Sequence, residues 1–203
     1  MTRTQSAGTG GTVVEEDRRT QILRVATTLF REKGYHRTSL DDIADQVGFT
    51  KPAIYYYFDS KEELLFAIVD GVVSGALERV QRIAAQDLSP LGRMNAILVE
   101  NTRVVLENID ANTAFYNERG LLSPERERMV RDRERAYTTV LRDIYIEGVK
   151  AGDLLDIDPN VAISTLLGAT IWVYRWYRPN GRLSIDETAT SVADLLLNGY
   201  RTR

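Results

Sequence analysis

The sequence predicts an all-α protein of about nine helices, a three-helix helix-turn-helix unit followed by a larger helical domain. Three observations lead there. Apolar residues recur at three- and four-residue spacing along most of the chain. Ser-Pro and Asp-Pro pairs and Ser-x-x-acid boxes mark helix starts at intervals. No stretch alternates with the two-residue period of a strand.

Residues 1–15 are glycine-rich and polar, expected as a disordered arm with Arg3 as its only basic residue. The first helix spans about Arg18 to Lys33, with Ile22, Ala26, Leu29 and Phe30 inward and Gly34 as its stop. Ser39 with Asp42 forms a capping box, and Leu40, Ile43, Ala44 and Val47 keep helical spacing up to Gly48. Thr50 is placed to cap the next helix, whose first turn accepts Pro52 because an N–H missing there costs nothing. Ser60 and Glu63 open a fourth helix at Lys61, running to about Ala85 through Leu64, Leu65, Ile68, Val72 and Leu77. Ser89-Pro90 opens a fifth, with Met94, Ile97, Leu98 and Val105. A short segment around Ala114 to Tyr116 precedes Gly120. Ser123-Pro124 starts a long helix through Lys150, ended by Gly152, whose charged run Glu125 to Arg135 reads as a solvated face with intrahelical ion pairs. Asp158-Pro159 starts a helix expected to reach Arg178, where Pro179-Asn180-Gly181 breaks it. Ser184 with Glu187 caps the last helix, through Leu197.

Two short helices about a glycine turn, closely followed by a third helix start, are the layout of a DNA-reading helix-turn-helix over residues 16–60. Ile54 and Phe58 share one side of the second of them, so Pro52 and Tyr56 face away, flanked by Ala53 and Tyr55. Three consecutive tyrosines, Tyr55 to Tyr57, cannot all be buried. A phenol that donates to a phosphate oxygen while its ring packs on the sugar gives such a face a use. Lys51 and the amides at the start of that helix add positive potential, and Lys61 with its own first-turn amides also suits a phosphate.

Composition narrows the function classes. The chain of 203 residues can bury about 70% of its extended surface. It has no cysteine and a single histidine, His36, so neither a disulfide framework, a zinc site nor a histidine-based triad is expected. No nucleophile with an adjacent base and no paired-carboxylate site is recognisable, so the reading is not an enzyme, without metal or cofactor. No apolar run spans a bilayer and the start is not a signal sequence, which points to the cytoplasm with no membrane contact. A net charge of −3 is unusual for a DNA binder. Long-range steering would be weak, leaving affinity to local contacts and to two copies acting together.

The run Arg18 to Gly34 (RRTQILRVATTLFREKG), then Tyr35, Thr38, Ile43, Ala44, Gly48 and the block Ile54 to Leu64 (IYYYFDSKEEL), resembles the TetR family of bacterial transcriptional regulators. The resemblance implies a homodimer bound to a double-stranded operator and released by a small-molecule effector, with residues 61–203 as the effector-binding and dimerisation domain. Position by position it implies that Thr38 and Lys61 touch phosphates, that Thr50, Lys51, Pro52 and Ala53 approach bases, and that Tyr55, Tyr56 and Tyr57 hold the backbone. Many relatives have histidine where this chain has Tyr57.

The helix after Asp158 is apolar on both sides. One side carries Thr165, Gly168, Ala169, Trp172 and Trp176; the other carries Ile163, Leu166, Leu167, Thr170 and Tyr174. A helix of this kind is covered on both faces. The second set, with Ala189, Val192 and Leu196 of the last helix, is expected at a two-fold interface, which the resemblance favours over a monomer with a central helix. Phe115, Tyr116, Leu121, Leu122, Trp172 and Trp176 are expected to line a pocket, with Arg119 or Arg175 meeting a negative group; Glu118 is the alternative partner of Arg175. The block from Trp172 to Ser184 (WVYRWYRPNGRLS) resembles TetR-type repressors of fatty-acid, phenylacetate and sterol catabolism, which implies an acyl-CoA thioester as effector, its head held by Arg175, Arg178 and Arg182. A neutral drug or lipid effector, and a helical adaptor without DNA function, remain alternative readings.

Overall fold

The computed structural model describes residues 17–200. The arm expected at residues 1–15 lies outside them. The helices are α1 (Arg18–Lys33), α2 (Leu40–Val47), α3 (Lys51–Tyr57), α4 (Lys61–Ala84), α5 (Pro90–Glu107), α6 (Ile109–Glu118), α7 (Pro124–Lys150), α8 (Pro159–Trp172) and α9 (Ile185–Tyr200), with 3₁₀ turns at Arg119–Leu121 and Val173–Arg175. There is no strand among the described residues, and no helix is long and apolar enough to cross a membrane.

At the amino end the Ser39 box and the Gly48 turn act as expected and the Thr50 cap does not. The Ser39 hydroxyl accepts from the Asp42 amide while the Asp42 carboxylate accepts from the Ser39 amide, a complete capping box. Gly48 ends α2 at φ 78°, a left-handed conformation that a side chain disfavours, and this turn swings the chain into α3. Thr50 is the cap residue of α3 but its side chain caps nothing. The Ala53 and Ile54 amides are served by the Thr50 carbonyl instead, which leaves the hydroxyl open to solvent.

Ile22, Phe30, Ile43, Ile54 and Phe58 are buried together, and their cluster continues across residue 60 into Leu64, Leu65 and Val69 of α4, then to Phe115, Leu122 and Val130. Three short helices enclose little apolar volume, and α4, α6 and α7 supply the rest. A second cluster joins the far half of α4 to α5, α7, α8 and α9 around Met94, Leu98, Leu141 and Tyr145.

Two expectations need correction here. The helix after Asp158 stops at Trp172, where an i to i+3 bond from the Trp176 amide to the Val173 carbonyl tightens the chain into a 3₁₀ turn. The charged run of α7 is only partly a solvated face. Arg131 pairs along the helix with Glu127, but Arg133 reaches Asp70 at 2.9 Å and Arg126 reaches Glu62 at 3.5 Å, both on α4. Glu62 also accepts from the Ser123 amide at 2.9 Å, so the beginnings of α4 and α7 are clamped together.

Candidate nucleic-acid interface and ligand cavity

α3 presents the outward face its wheel predicts. Thr50, Lys51, Pro52, Tyr55 and Tyr56 are exposed, Ala53 is half-buried, and Tyr56 is 82% exposed although its ring is the size of a core residue. Tyr57 is half-buried and meets Tyr56 edge to face, with ring centres 5.0 Å apart. That contact holds the two phenols at fixed angles. The Lys51 ammonium donates to Asp41 of α2 at 2.8 Å, and this carboxylate raises the lysine above its ordinary pKa. Arg19 and Arg18 stack on Phe58 and Phe49, adding positive charge beside the same unit.

Thr38 and Lys61 have their side chains engaged within the protomer. Thr38 is buried and its hydroxyl donates to the Gly34 carbonyl at 3.0 Å, with the Leu29 carbonyl at 3.3 Å. The Lys61 ammonium turns inward to the carbonyls of Tyr35 and Thr38, both at 2.8 Å, and lies 4.2 Å from the centre of the Tyr35 ring. Both residues serve the loop between α1 and α2, whose carbonyls need donors.

The second candidate site is a cavity of about 560 Å³ between α4, α5, α6, α7 and α8. Of the residues expected at a pocket, Phe115 and Tyr116 line it. Arg119 stands behind Glu134, a wall residue, in a two-pronged ion pair at 2.5 and 2.9 Å, with its guanidinium over the Phe115 ring. Leu122 belongs to the first apolar cluster instead. Trp172 and Trp176 are more than half exposed, and Arg175 stacks on Trp172 and Tyr174 rather than pairing with Glu118, which accepts from the Tyr35 amide. The rest of the wall was not legible from spacing: Val72 and Arg79 of α4, Asn101 of α5, Asn112 of α6, Tyr137 of α7 and Leu167 and Ile171 of α8. Burial pushes the Tyr116 and Tyr137 phenols well above the ordinary tyrosine value, so both are neutral donors.

α6 connects the cavity to the helix-turn-helix unit. Ala111, Asn112 and Phe115 face the ligand space, while Asp110 of the same helix is ion-paired with Arg31 of α1 at 2.8 Å.

The expected dimer set is corrected at its buried members. Ile163, Leu166, Thr170 and Ala189 are buried inside the protomer, and Leu167 lines the cavity. Tyr174 stacks on Tyr116, while Val192 and Leu196 are partly buried against the protomer's own apolar clusters. The open stripe is the opposite one: Val161, Thr165, Gly168 and Trp172, at alternating four- and three-residue steps, with Leu195 of α9 at 75% exposure. Ile163, Leu166 and Thr170 are also three or four apart, so spacing alone could not say which stripe was the inner one.

Comparison with known proteins agrees with this architecture at both ends. The model of bacterial regulatory proteins of the tetR family matches residues 22–68, and that of the Tetracyclin repressor-like C-terminal domain matches residues 87–200. The HTH-type transcriptional repressor KstR2 of Rhodococcus jostii is 30% identical over 185 residues, covering 90% of each chain. A transcriptional regulator of the TetR/AcrR family from Thermobifida fusca is 64% identical, with a TM-score of 0.73 over 92% of this chain and 100% of its own. AibR, solved with isovaleryl coenzyme A and operator DNA, is 26% identical, with a TM-score of 0.79 over 91% of this chain and 98% of its own.

Proposed function

The chain belongs to the TetR family of bacterial transcriptional regulators, and we propose that it works as a homodimeric repressor released from a palindromic operator by a small molecule held in the cavity. It is a DNA-binding regulator rather than an enzyme. The observation that carries the finer reading is the outward face of α3, where Thr50, Lys51, Pro52, Tyr55 and Tyr56 stand exposed on a helix seven residues long. In the major groove Thr50, Lys51, Pro52 and Ala53 approach base edges, and Tyr55 and Tyr56 donate to phosphates, with Tyr57 behind them. Two such helices read half-sites about 34 Å apart.

The dimer forms along the stripe Val161, Thr165, Gly168 and Trp172 together with Leu195, an isologous apolar surface on two adjacent helices. Gly168 suits it, because nothing in the protomer lies within 4 Å of where its Cβ would be and a facing helix can come close. The effector is an acyl-CoA thioester or a related amphiphile. A cavity of 560 Å³ walled mainly by aliphatic and aromatic side chains accepts an acyl chain, and AibR supplies the precedent for a coenzyme A thioester. Occupancy moves α4 and α6, which carry the change to α1 through Asp110 and Arg31. A coupling of about 1–3 kcal/mol per effector is enough to change operator affinity several-fold or more.

Selection of bound sequences from a random duplex pool, followed by titration of the enriched duplex with acyl-CoA thioesters and their free acids, tests this. An enriched palindrome released by one class is the expected result. Absence of any enriched sequence would overturn the operator reading.

A further inference from the structure

The cavity has a charged corner that its own walls leave unanswered. Ala76 and Arg79 of α4, Asn101 of α5 and Tyr137 of α7 line both the main cavity and a small void beside it, so they meet at one place in the wall. The other guanidinium groups of the wall have their acids: Arg131 pairs with Glu127 at 2.6 Å and Arg135 with Asp132 at 3.3 Å. Arg79 makes no ion pair among the described residues. The acid of the small void, Glu100, favours the charged guanidinium from beyond ion-pair range, but its carboxylate is engaged by Arg103 and Arg82. Tyr137 lacks a partner too, since its hydroxyl is buried and finds no hydrogen bond among the described residues.

A buried hydroxyl without a partner and a half-buried cation with no acid in ion-pair range both cost stability, and a ligand that answers both at once recovers that cost. We infer that this corner is a carboxylate subsite: the effector presents an acid group to the Arg79 guanidinium and the Tyr137 hydroxyl, with its apolar body among Val72, Phe115 and Leu167. The inference rests on the effector reading above and adds the chemistry of one end of the ligand. The match is chemical as well as spatial. A carboxylate has two acceptor oxygens, and a planar guanidinium offers parallel donors that remain charged in any physiological buffer. A neutral amide or ester fills the same volume but leaves the guanidinium uncompensated.

The acid can belong to a free acyl acid or to the far end of an acyl chain already joined to coenzyme A. Calorimetry on the full-length protein with octanoate, octanamide, octanoyl-CoA and the mono-CoA thioester of octanedioic acid separates these. The expected result is that octanoate exceeds octanamide, or the dioic thioester exceeds octanoyl-CoA, by about tenfold or more, the size of one charge-assisted contact. The pair that shows the gap names the source. Arg79→Met closes the gap and Tyr137→Phe narrows it. Arg79→Met also raises the melting temperature of the unliganded protein, whereas an arginine kept for structure would lower it on removal. A gap that survives in R79M, equal affinity within both pairs, or a lower melting temperature of R79M overturns the subsite. Release of the operator by octanoyl-CoA with both acid-bearing ligands inert overturns the subsite alone and leaves the effector reading standing.

Discussion

Two surfaces of the protomer expose aromatic rings, and what surrounds the rings differs. On α3, Tyr55 and Tyr56 each end in a hydroxyl and stand beside Thr50 and Lys51. On α8, Trp172 ends the exposed stripe of Val161, Thr165 and Gly168 with Arg175 laid over its ring, and Trp176 follows in the turn. Exposed aromatic area is therefore not one signal. Phenols next to an ammonium fit a polyanion, which rewards donors at the ring's edge. Indoles in line with small and aliphatic residues, with the guanidinium beside them stacked on a ring face, fit another packed helix, which rewards hydrocarbon and close approach.

The strongest way to break this comparison is Gly168→Arg. The protomer has room for the new side chain, so folding is expected to be retained, whereas the proposed facing helix would be pushed away. Sedimentation is expected to show a monomer, and operator affinity is expected to fall about 100-fold or more because the two half-sites are no longer linked. A dimer of unchanged stability would assign the tryptophan surface elsewhere. Next in size is Tyr56→Ala, expected to weaken operator binding by about 1.5–3 kcal/mol, the value of a hydrogen bond to a charged group, with dimerisation untouched. Fluorescence anisotropy checks it, and Tyr56→Phe separates hydroxyl from ring. Lys51→Ala is expected to cost roughly 1–3 kcal/mol if the ammonium reads a base. Asp41→Asn should act in the opposite direction, since it frees that ammonium from its 2.8 Å pair. Equal affinity of both variants and the parent would remove Lys51 from the interface.

The smallest effect concerns pH and the helix that braces α3. The Ser39 hydroxyl and then its amide hold the Asp42 carboxyl down to about 2. The folded value lies below the unfolded one, so the stabilisation is complete above the unfolded pKa near ~3.9 and is lost as pH falls through the folded value. Thermal melts at pH 6 and pH 2 should show the parent losing more than Asp42→Asn over that window. An equal loss in both would mean the capping box adds no pH-dependent stability.

Signals confined to a few residues were legible. The Ser39 and Ser184 boxes, the Gly48 turn and the Pro52, Pro90, Pro124 and Pro159 starts each act through neighbours close in sequence, and the helices begin where they say. What depended on distant partners was not legible. Thr38 and Lys61 have the chemistry of phosphate ligands, but the carbonyls that claim them are exposed by the path of a loop. α8 has two apolar stripes of equal spacing, and only the packing of α5, α7 and α9 says which is inside. Arg79, Asn101 and Tyr137 come from three helices, so no local pattern joins them.

The inward turn of Lys61 has a mechanical consequence. By donating to the carbonyls of Tyr35 and Thr38, it bolts the loop of the DNA-reading unit to the first turn of α4. That helix has 24 residues and so is a rod about 36 Å long. Pivoted at its far end, a rod of that length tilted by about 5° moves its near end by about 3 Å, close to the ~3.4 Å rise between successive base pairs. Under the proposed release mechanism, a tilt of that size started at the cavity would reach the groove as a misregister of about one base step.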